Sequence, residues 1–303
     1  MIDISNMFMT QIFLLCMVVV GVITVKTRIV DDHTRVALSE LVLSVFLPCN
    51  ILSSFFGTSR SELPSLGIML MIALGVMALS FTLSQVLYKR VNSEQKKVLV
   101  YGTIISNASL LGNPVVESVY GLQGLTYAAA YLVPFRIALW TVGPLVFAGG
   151  KGDIKKILFH PCLVATYTGL LVMIIGFNPP ALVSRVVFSL GNCTTPLSMI
   201  VVGNVLAMVD PRKLLTKLIV YFTFVRLVLI PLIVIGFLLI LRPAPIISGV
   251  SVILSGMPAG ATTAILADKF GADRELASKI VFMSTLLSII TAPLLARLLQ
   301  QAL

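Results

Sequence analysis

The chain has 303 residues, of which 58% are hydrophobic and only 11% are charged, and its mean hydropathy is +1.05. These values exclude an ordinary soluble globular protein, and recurrent apolar runs of about 20 residues predict membrane-spanning helices. The net charge of +10 comes from short basic clusters between the apolar runs and not from a basic stripe with interleaved aromatic residues, which argues against nucleic-acid binding.

Apolar runs separated by charged residues, glycine or proline predict ten transmembrane helices. In chain order the predicted spans are Met7–Val25, Val36–Phe56, Ser65–Tyr88, Val98–Tyr120, Leu125–Ala148, Pro161–Phe177, Val186–Val209, Leu214–Leu241, Ile246–Ala267 and Ala277–Leu299. Cytoplasmic loops of membrane proteins carry an excess of lysine and arginine. Sixteen of the 22 basic residues follow odd-numbered spans and three lie on the opposite side, so both termini are predicted to face outward. We expect a multi-pass protein of a bacterial inner membrane.

The two halves of the chain, residues 1–150 and 151–303, resemble each other weakly at an offset of about 150 residues. Ser109–Gly121 aligns with Ala259–Gly271, and Pro48 in span two aligns with Pro196 in span seven. Because each half would contain five spans, an odd number, the second half must cross the membrane in the opposite sense. The predicted fold is an all-α membrane protein made of two inverted five-helix repeats. Chance similarity between apolar helices is the alternative.

Spans four and nine carry polar residues, glycine and proline near their centres. The residues concerned are Ser106, Asn107, Ser109, Gly112, Asn113 and Pro114 in span four, and Met257, Pro258 and Thr262 in span nine. Proline removes a backbone donor and glycine lowers the cost of leaving helical geometry, so both helices are expected to break. Irregular backbone at membrane depth must be buried in protein or line a wet cavity, which predicts one shared site. Free N–H groups there would suit a carboxylate; two kinks that serve only packing are the alternative.

At span four the motif becomes specific enough to indicate a family. The sequence Asn-Ala-Ser-Leu-Leu-Gly-Asn-Pro at Asn107–Pro114 resembles the Asn-x-Gly-(aromatic)-(Leu/Ile)-Gly-x-Pro signature in the fourth helix of the auxin efflux carrier family, which includes bacterial malonate and malate carriers. Further matches occur in order along the chain: Phe46-Leu47-Pro48, Thr195-Pro196-Leu197, Arg226 with Pro231, Met257-Pro258-Ala259, and Ser284-Thr285-Leu286 with Pro293.

The resemblance implies ten helices in two inverted repeats, with helices four and nine crossing at their broken segments, in a fold related to the bile-acid and sodium symporters. Ser109 stands where the family usually has glycine, and Leu110 stands where an aromatic residue is common. The shape and polarity of the pocket are therefore expected to differ from those of other members.

Two arginines are predicted to lie within membrane spans, Arg136 in span five and Arg226 in span eight. A buried guanidinium is costly without a partner or water, so each arginine is a candidate substrate-binding residue, with Glu117 as a candidate ion-pair partner. The alternative is a structural arginine bonded to carbonyls of a broken helix. Asn50 and Thr194, beside the prolines of spans two and seven, either line the same cavity or bond within their own helices.

Motifs for catalysis are not found in the sequence. The four cysteines have no metal-ligand spacing, and His33 and His160 lie in predicted loops without a second imidazole nearby, so neither an enzyme, a metal nor another cofactor is expected.

The leading hypothesis is a secondary active transporter of a small mono- or dicarboxylate by alternating access, coupled to protons, sodium or counter-exchange. The alternatives are a sodium-coupled symporter of bulkier organic anions and a non-transporting membrane ligand sensor. The expected partners are the small anion and membrane lipid. Whether the chain forms a homodimer is left open by the sequence.

Overall fold

The computed structural model describes residues 4–56, 59–148, 159–207 and 216–302, and all regular secondary structure within these ranges is helical. The α-helices are α1 (Ile4–Lys26), α2 (Asp32–Leu41), α3 (Leu47–Ser53), α4 (Leu63–Leu87), α5 (Ser93–Ile104), α6 (Asn113–Ala148), α7 (Pro161–Ile175), α8 (Ala181–Asn192), α9 (Thr194–Leu206), α10 (Lys217–Phe224), α11 (Ile230–Leu241), α12 (Pro245–Ser255), α13 (Thr262–Lys269) and α14 (Arg274–Ala302).

Among the described residues, six helical stretches are long and apolar enough to cross a membrane. They are Asp32–Ser54, Arg60–Leu87, Ala108–Phe147, Ala181–Leu206, Lys217–Leu241 and Arg274–Ala302. Shorter apolar helices cover Ile12–Lys26, Pro161–Ile175 and Pro245–Ser255. The prediction of an all-α membrane protein is thus confirmed, whereas the count of ten spans, the inverted repeat and the outward termini stay predictions.

The six stretches are fewer than the ten predicted spans partly because spans four and nine are interrupted. Span four is divided between α5 and α6, and span nine between α12 and α13. The end of span four and the whole of span five also form one continuous helix, α6. Within α6, only Gly121 departs from helical geometry, with φ 61° and ψ −155°. A residue with a side chain rarely adopts this conformation, so glycine permits the turn between the two predicted spans.

In the described ranges, three π-helical turns interrupt the helices ahead of prolines. The turns are Val42–Phe46, Ala108–Gly112 and Val225–Leu229, and the prolines that follow them are Pro48, Pro114 and Pro231. A proline lacks the backbone N–H, and its ring collides with the carbonyl four residues earlier, which in each case lies inside the π turn. The wider turn moves that carbonyl away, so the helix continues past the proline instead of ending there.

The helices pack in two groups. The first helix group contains α1–α3 and α7–α9, and the second helix group contains α4–α6 and α10–α14. In the first group, α1 and α9 cross so closely that a Cβ atom on Gly21 would lie 2.3 Å from the carbonyl oxygen of Ile200, and one on Gly203 would lie 2.1 Å from that of Val18. Small residues allow such backbone contact between membrane helices. The predicted interruptions of spans four and nine both belong to the second group.

Candidate functional site

The interrupted segments of spans four and nine bond directly to each other. The backbone N–H of Asn107 donates to the carbonyl oxygen of Pro258 over 2.7 Å, and the N–H of Gly260 donates to that of Ile105 over 3.0 Å. These two bonds form an isolated antiparallel bridge between Ser106 and Ala259. Backbone groups released by the two breaks therefore find partners in each other, which explains how non-helical chain is tolerated at this depth.

Close packing beside the bridge depends on Gly112. A Cβ atom at this position would lie 2.7 Å from a methyl carbon of Leu254 and 3.1 Å from the Cγ atom of Met257. The bridge is also held by α14, because the Ser284 hydroxyl accepts a hydrogen bond of 3.2 Å from the N–H of Ala259. Gly112 and Met257, two of the predicted site residues, thus form part of the contact between the broken helices.

A cavity of about 90 Å³ adjoins this crossing and lies between the two helix groups. Its polar lining consists of Ser106, Asn107, Ser109, Arg136, His160, Cys162 and Thr262. The apolar lining includes Leu43 and Leu47 from the first helix group and Leu132, Phe135 and Leu139 from α6. Five of the site residues predicted from the sequence therefore line the same cavity: Ser106, Asn107, Ser109, Thr262 and Arg136.

Arg136 carries the fixed positive charge of the cavity. Its side chain is only 7% exposed, and its Nη1 group donates to the carbonyl oxygen of Ala129 and to the Thr166 hydroxyl, both over 3.3 Å. The Nε and Nη2 groups of Arg136 have no hydrogen-bond partner among the residues that the structure describes. Two free donors on one guanidinium match the two oxygens of a carboxylate.

The remaining lining adds donors without adding negative charge. Asn107 is buried, and its Nδ2 donor finds no hydrogen-bond partner in the described part of the chain. Thr262 begins α13, so the partial positive charge of that helix end faces the cavity. The Thr262 hydroxyl accepts a hydrogen bond of 3.3 Å from Tyr101. Among the lining residues that the structure describes, there is no aspartate or glutamate, so the cavity is electropositive.

Other predicted site residues lie outside the cavity lining. Asn113 is buried with an unpartnered Oδ1 atom, and Pro114 occupies the second position of α6. Pro258 contributes its carbonyl group to the bridge. Asn50 packs against α8, since a Cβ atom on Gly191 would lie 3.1 Å from the Asn50 Cα atom.

Thr194 and Arg226 are also placed away from the cavity. Thr194 is buried at the start of α9, and its hydroxyl has no partner. Arg226 is 2% exposed within a π turn, in electrostatic range of the Tyr88 and Tyr131 hydroxyls. Glu117, the expected partner of one arginine, is exposed and forms no ion pair with Arg136 or Arg226.

His160 is the residue that sequence reasoning placed in a loop and set aside. It precedes α7, where its Nδ1 atom accepts a hydrogen bond of 3.3 Å from the backbone N–H of Cys162 and so caps the helix. Burial lowers the pKa of the imidazole below its usual value, and the charge of Arg136 lowers it further. The sequence did contain a signal for His160, since a proline such as Pro161 is typical of the first position of a helix. His160 therefore lies at a helix start, next to the end of the preceding span if the two spans are antiparallel.

Comparisons with known proteins extend over nearly the whole chain. A protein-family model described as a membrane transport protein matches residues 6–157 and 150–296. A Methanothermobacter thermautotrophicus protein named an uncharacterized transporter is 26% identical over 294 residues, covering 94% of this chain and 96% of that protein. A Rhizobium meliloti protein provisionally named a malonate transporter is 28% identical over 167 residues, covering 51% of this chain and 52% of that protein.

Proposed function

We propose that this chain, which belongs to the membrane transport protein family of the auxin efflux carriers, is a secondary active transporter of a small organic anion. The family match confirms the resemblance drawn from the sequence motifs, and it identifies the chain as a multi-pass membrane transporter. The proposal adds the substrate class, a mono- or dicarboxylate, and the mechanism, alternating access at the cavity beside the crossing.

The observation that carries the proposal is the unsatisfied guanidinium of Arg136. A buried charge with two free donors is expensive unless a ligand or water completes its bonds. The cavity has no described carboxylate to neutralise it. An anion that enters the cavity would supply the missing charge and the missing acceptors together. The name of the Rhizobium meliloti relative, which refers to malonate, is consistent with an anion of this kind.

The size of the cavity favours small anions over bulky ones. Pockets that hold drug-sized ligands measure roughly 300–1,000 Å³, whereas this cavity measures about 90 Å³. A carboxylate with a few carbon atoms fits that space without rearrangement, but a bulkier organic anion would have to move helices apart. We therefore place the small carboxylates ahead of the substrates of the sodium-coupled alternative.

Contacts between the helix groups support alternating access. At the end predicted to face outward, the Thr126 hydroxyl of α6 donates to the carbonyl oxygen of Ser54 at the end of α3 over 2.7 Å, which joins the two groups. Beside it, within the second group, the Tyr127 hydroxyl donates to Glu62 over 2.5 Å. The cavity extends the other way, to His160 at the end predicted to be cytoplasmic. In our proposal this arrangement is closed to the outside, and transport requires the contact between Thr126 and Ser54 to open.

The proposal includes the architecture and location expected from the sequence. We propose ten spans in two inverted repeats, residues 1–150 and 151–303, with both termini outside a bacterial inner membrane. The pairing of interruptions supports the repeat, because α8 and α9 are separated near Pro196 just as a π turn precedes Pro48. The proposal also includes coupling of transport to a proton or to sodium, and assembly as a homodimer.

Uptake of radiolabelled malonate into proteoliposomes tests the function. We expect saturable uptake by the wild type, competition by other small carboxylates, and almost complete loss of uptake in Arg136→Gln. Parallel assays with and without sodium separate the coupling ions. Binding of malonate without any flux would favour the ligand-sensor alternative. Binding only of neutral or cationic compounds would contradict the anion carrier altogether.

A further inference from the structure

A second group able to carry positive charge lines the cavity together with Arg136. His160 is half-buried and belongs to the first helix group, whereas Arg136 belongs to the second. The two side chains are close enough for the charge of Arg136 to act on the imidazole. The chain has one other histidine, His33, which is exposed on α2 and so provides a natural control.

Several features of the described surroundings favour the neutral form of His160 while the cavity contains no anion. Burial penalises the charged imidazole, the charge of Arg136 repels a second positive charge, and the positive end of α7 does the same. Because Nδ1 accepts the hydrogen bond from Cys162, the neutral ring carries its proton on Nε2. An added proton would have to go to Nδ1, and the capping bond would then be lost.

The surrounding elements contribute few other titratable groups among the described residues. The turn Val42–Phe46 has none, and α3 has only Cys49. From α6 the charged group facing the cavity is Arg136, and from α7 the titratable group is Cys162, whose thiol donates to the carbonyl oxygen of Leu43 over 3.3 Å. An incoming anion would thus add a negative charge next to His160 that the described lining of the cavity lacks.

We propose that His160 is the second anion-binding group of the cavity and takes up one proton when a dicarboxylate binds. This inference rests on the proposed function, and it goes further by naming a doubly charged substrate and the proton as coupling ion. One carboxylate pairs with Arg136, and the other approaches His160. Solvent supplies the proton to Nδ1, the bond from Cys162 is released, and the new N–H donates to the second carboxylate.

The charge balance explains why a dicarboxylate draws the proton and a monocarboxylate does not. Arg136 alone neutralises one carboxylate, so a monocarboxylate leaves the cavity without net charge. A dicarboxylate leaves one negative charge uncompensated in a poorly solvated space, and such a charge is costly. Protonation of His160 removes that cost and leaves two positive charges facing two negative charges. The loaded carrier is then electroneutral at this site.

Calorimetric titration of the purified full chain measures the proton directly. Malonate and acetate are titrated near neutral pH in two buffers with different heats of ionisation, so that the difference in observed heat gives the protons exchanged per anion bound. We expect close to one proton taken up per malonate and none per acetate. The affinity for malonate should rise as the pH falls from about 8 to about 6, because His160 is then easier to protonate; the affinity for acetate should stay constant.

His160→Asn is the most informative variant. Asparagine keeps a side-chain acceptor for the N–H of Cys162 at the start of α7, but it cannot take up a proton. We expect the affinity for malonate to fall by about tenfold, the value typical of a lost hydrogen bond to a charged group, with no proton uptake and an unchanged affinity for acetate. His33→Asn should behave like the wild type. If the asparagine variant does not fold, His160→Arg should bind malonate independently of pH and without proton uptake.

The outcomes separate this inference from the proposed function. Malonate binding by the wild type without proton uptake overturns the role of His160 and leaves the anion site intact. Proton uptake that persists unchanged in His160→Asn or His160→Arg has the same meaning. Failure to bind either anion overturns the proposed function, and the inference fails with it.

Discussion

Arg136 and Arg226 look alike in the sequence and differ in the folded protein. Each is a single arginine within an apolar span, and each is almost completely buried, with exposures of 7% and 2%. Arg136 lines the cavity with two free donors, whereas Arg226 lies within a π turn near the hydroxyls of Tyr88 and Tyr131. Burial of an arginine therefore indicates a candidate binding residue, but the arginine can bind a ligand only if it lines a cavity.

Removal of the charge at Arg136 should have the largest effect. Arg136→Gln removes a charge-assisted contact worth roughly 1.5–3 kcal/mol, so we expect the affinity for malonate to fall by about a hundredfold. Thermal-shift titration of the purified variant with malonate measures this loss, because a ligand stabilises the state that it binds. An equal loss of affinity in Arg226→Gln would break the distinction between the two arginines.

A side chain at Gly112 should disturb the site from the side of the crossing. Gly112→Val places methyl groups where a Cβ atom alone already approaches Leu254 and Met257, and overpacking of this kind costs roughly 1–3 kcal/mol. We expect a lower melting temperature and weaker malonate binding in the same variant. Gly67→Val is the matched control, because a Cβ atom at Gly67 has no neighbour within 4 Å. Similar melting temperatures for the two variants would contradict the crossing as described.

The two asparagines of span four can be compared in the same way as the two arginines, with a smaller expected effect on binding. Asn107 and Asn113 are both buried with an unpartnered amide atom, but only Asn107 lines the cavity. Asn107→Ala should weaken malonate binding by about fivefold, since one hydrogen bond of about 1 kcal/mol is lost. Asn113→Ala should change the affinity by less than about twofold. Calorimetric titration of the two variants side by side checks the order, and the reverse order would mean that the anion lies elsewhere.

Arg226→Gln should have the smallest effect on binding. Because Arg226 lies away from the cavity lining, we expect its affinity for malonate to stay within about threefold of the wild type. Removal of the guanidinium charge relieves the cost of burying it, which offsets the loss of its contacts, so the melting temperature should also change little. Equilibrium binding and thermal unfolding on one preparation check both statements. A large loss of affinity with normal folding would assign Arg226 to the transport path.

Much of the fold was predictable because proline, glycine and charge act locally. Pro114 and Pro258 predicted the interruptions of spans four and nine, and the structure places both interruptions there. The family resemblance and the all-α membrane fold were likewise confirmed. The π turns were not predicted, since a proline can either kink a helix or be accommodated by a wider turn, and the outcome depends on packing.

The composition of the cavity was only partly predictable. Ser106, Asn107 and Ser109 are neighbours in sequence, were predicted together and line one cavity, but their proximity to Arg136 and His160 depends on how the two helix groups pack. Such contacts between distant segments leave no periodicity in the chain. His160 was missed for this reason, and Arg226 could not be distinguished from Arg136.

The hydrogen-bonded bridge at Ser106 and Ala259 also bears on how the protein is made. It joins segments about 150 residues apart, so the ribosome delivers one strand of the bridge long before the other. Until then, the N–H of Asn107 and the carbonyl of Ile105 lack the partners that they have in the finished protein, and an unsatisfied peptide group in hydrocarbon costs several kcal/mol. The newly inserted amino-terminal half is thus an unfinished fold, which can mature only when the last third of the chain has reached the bilayer.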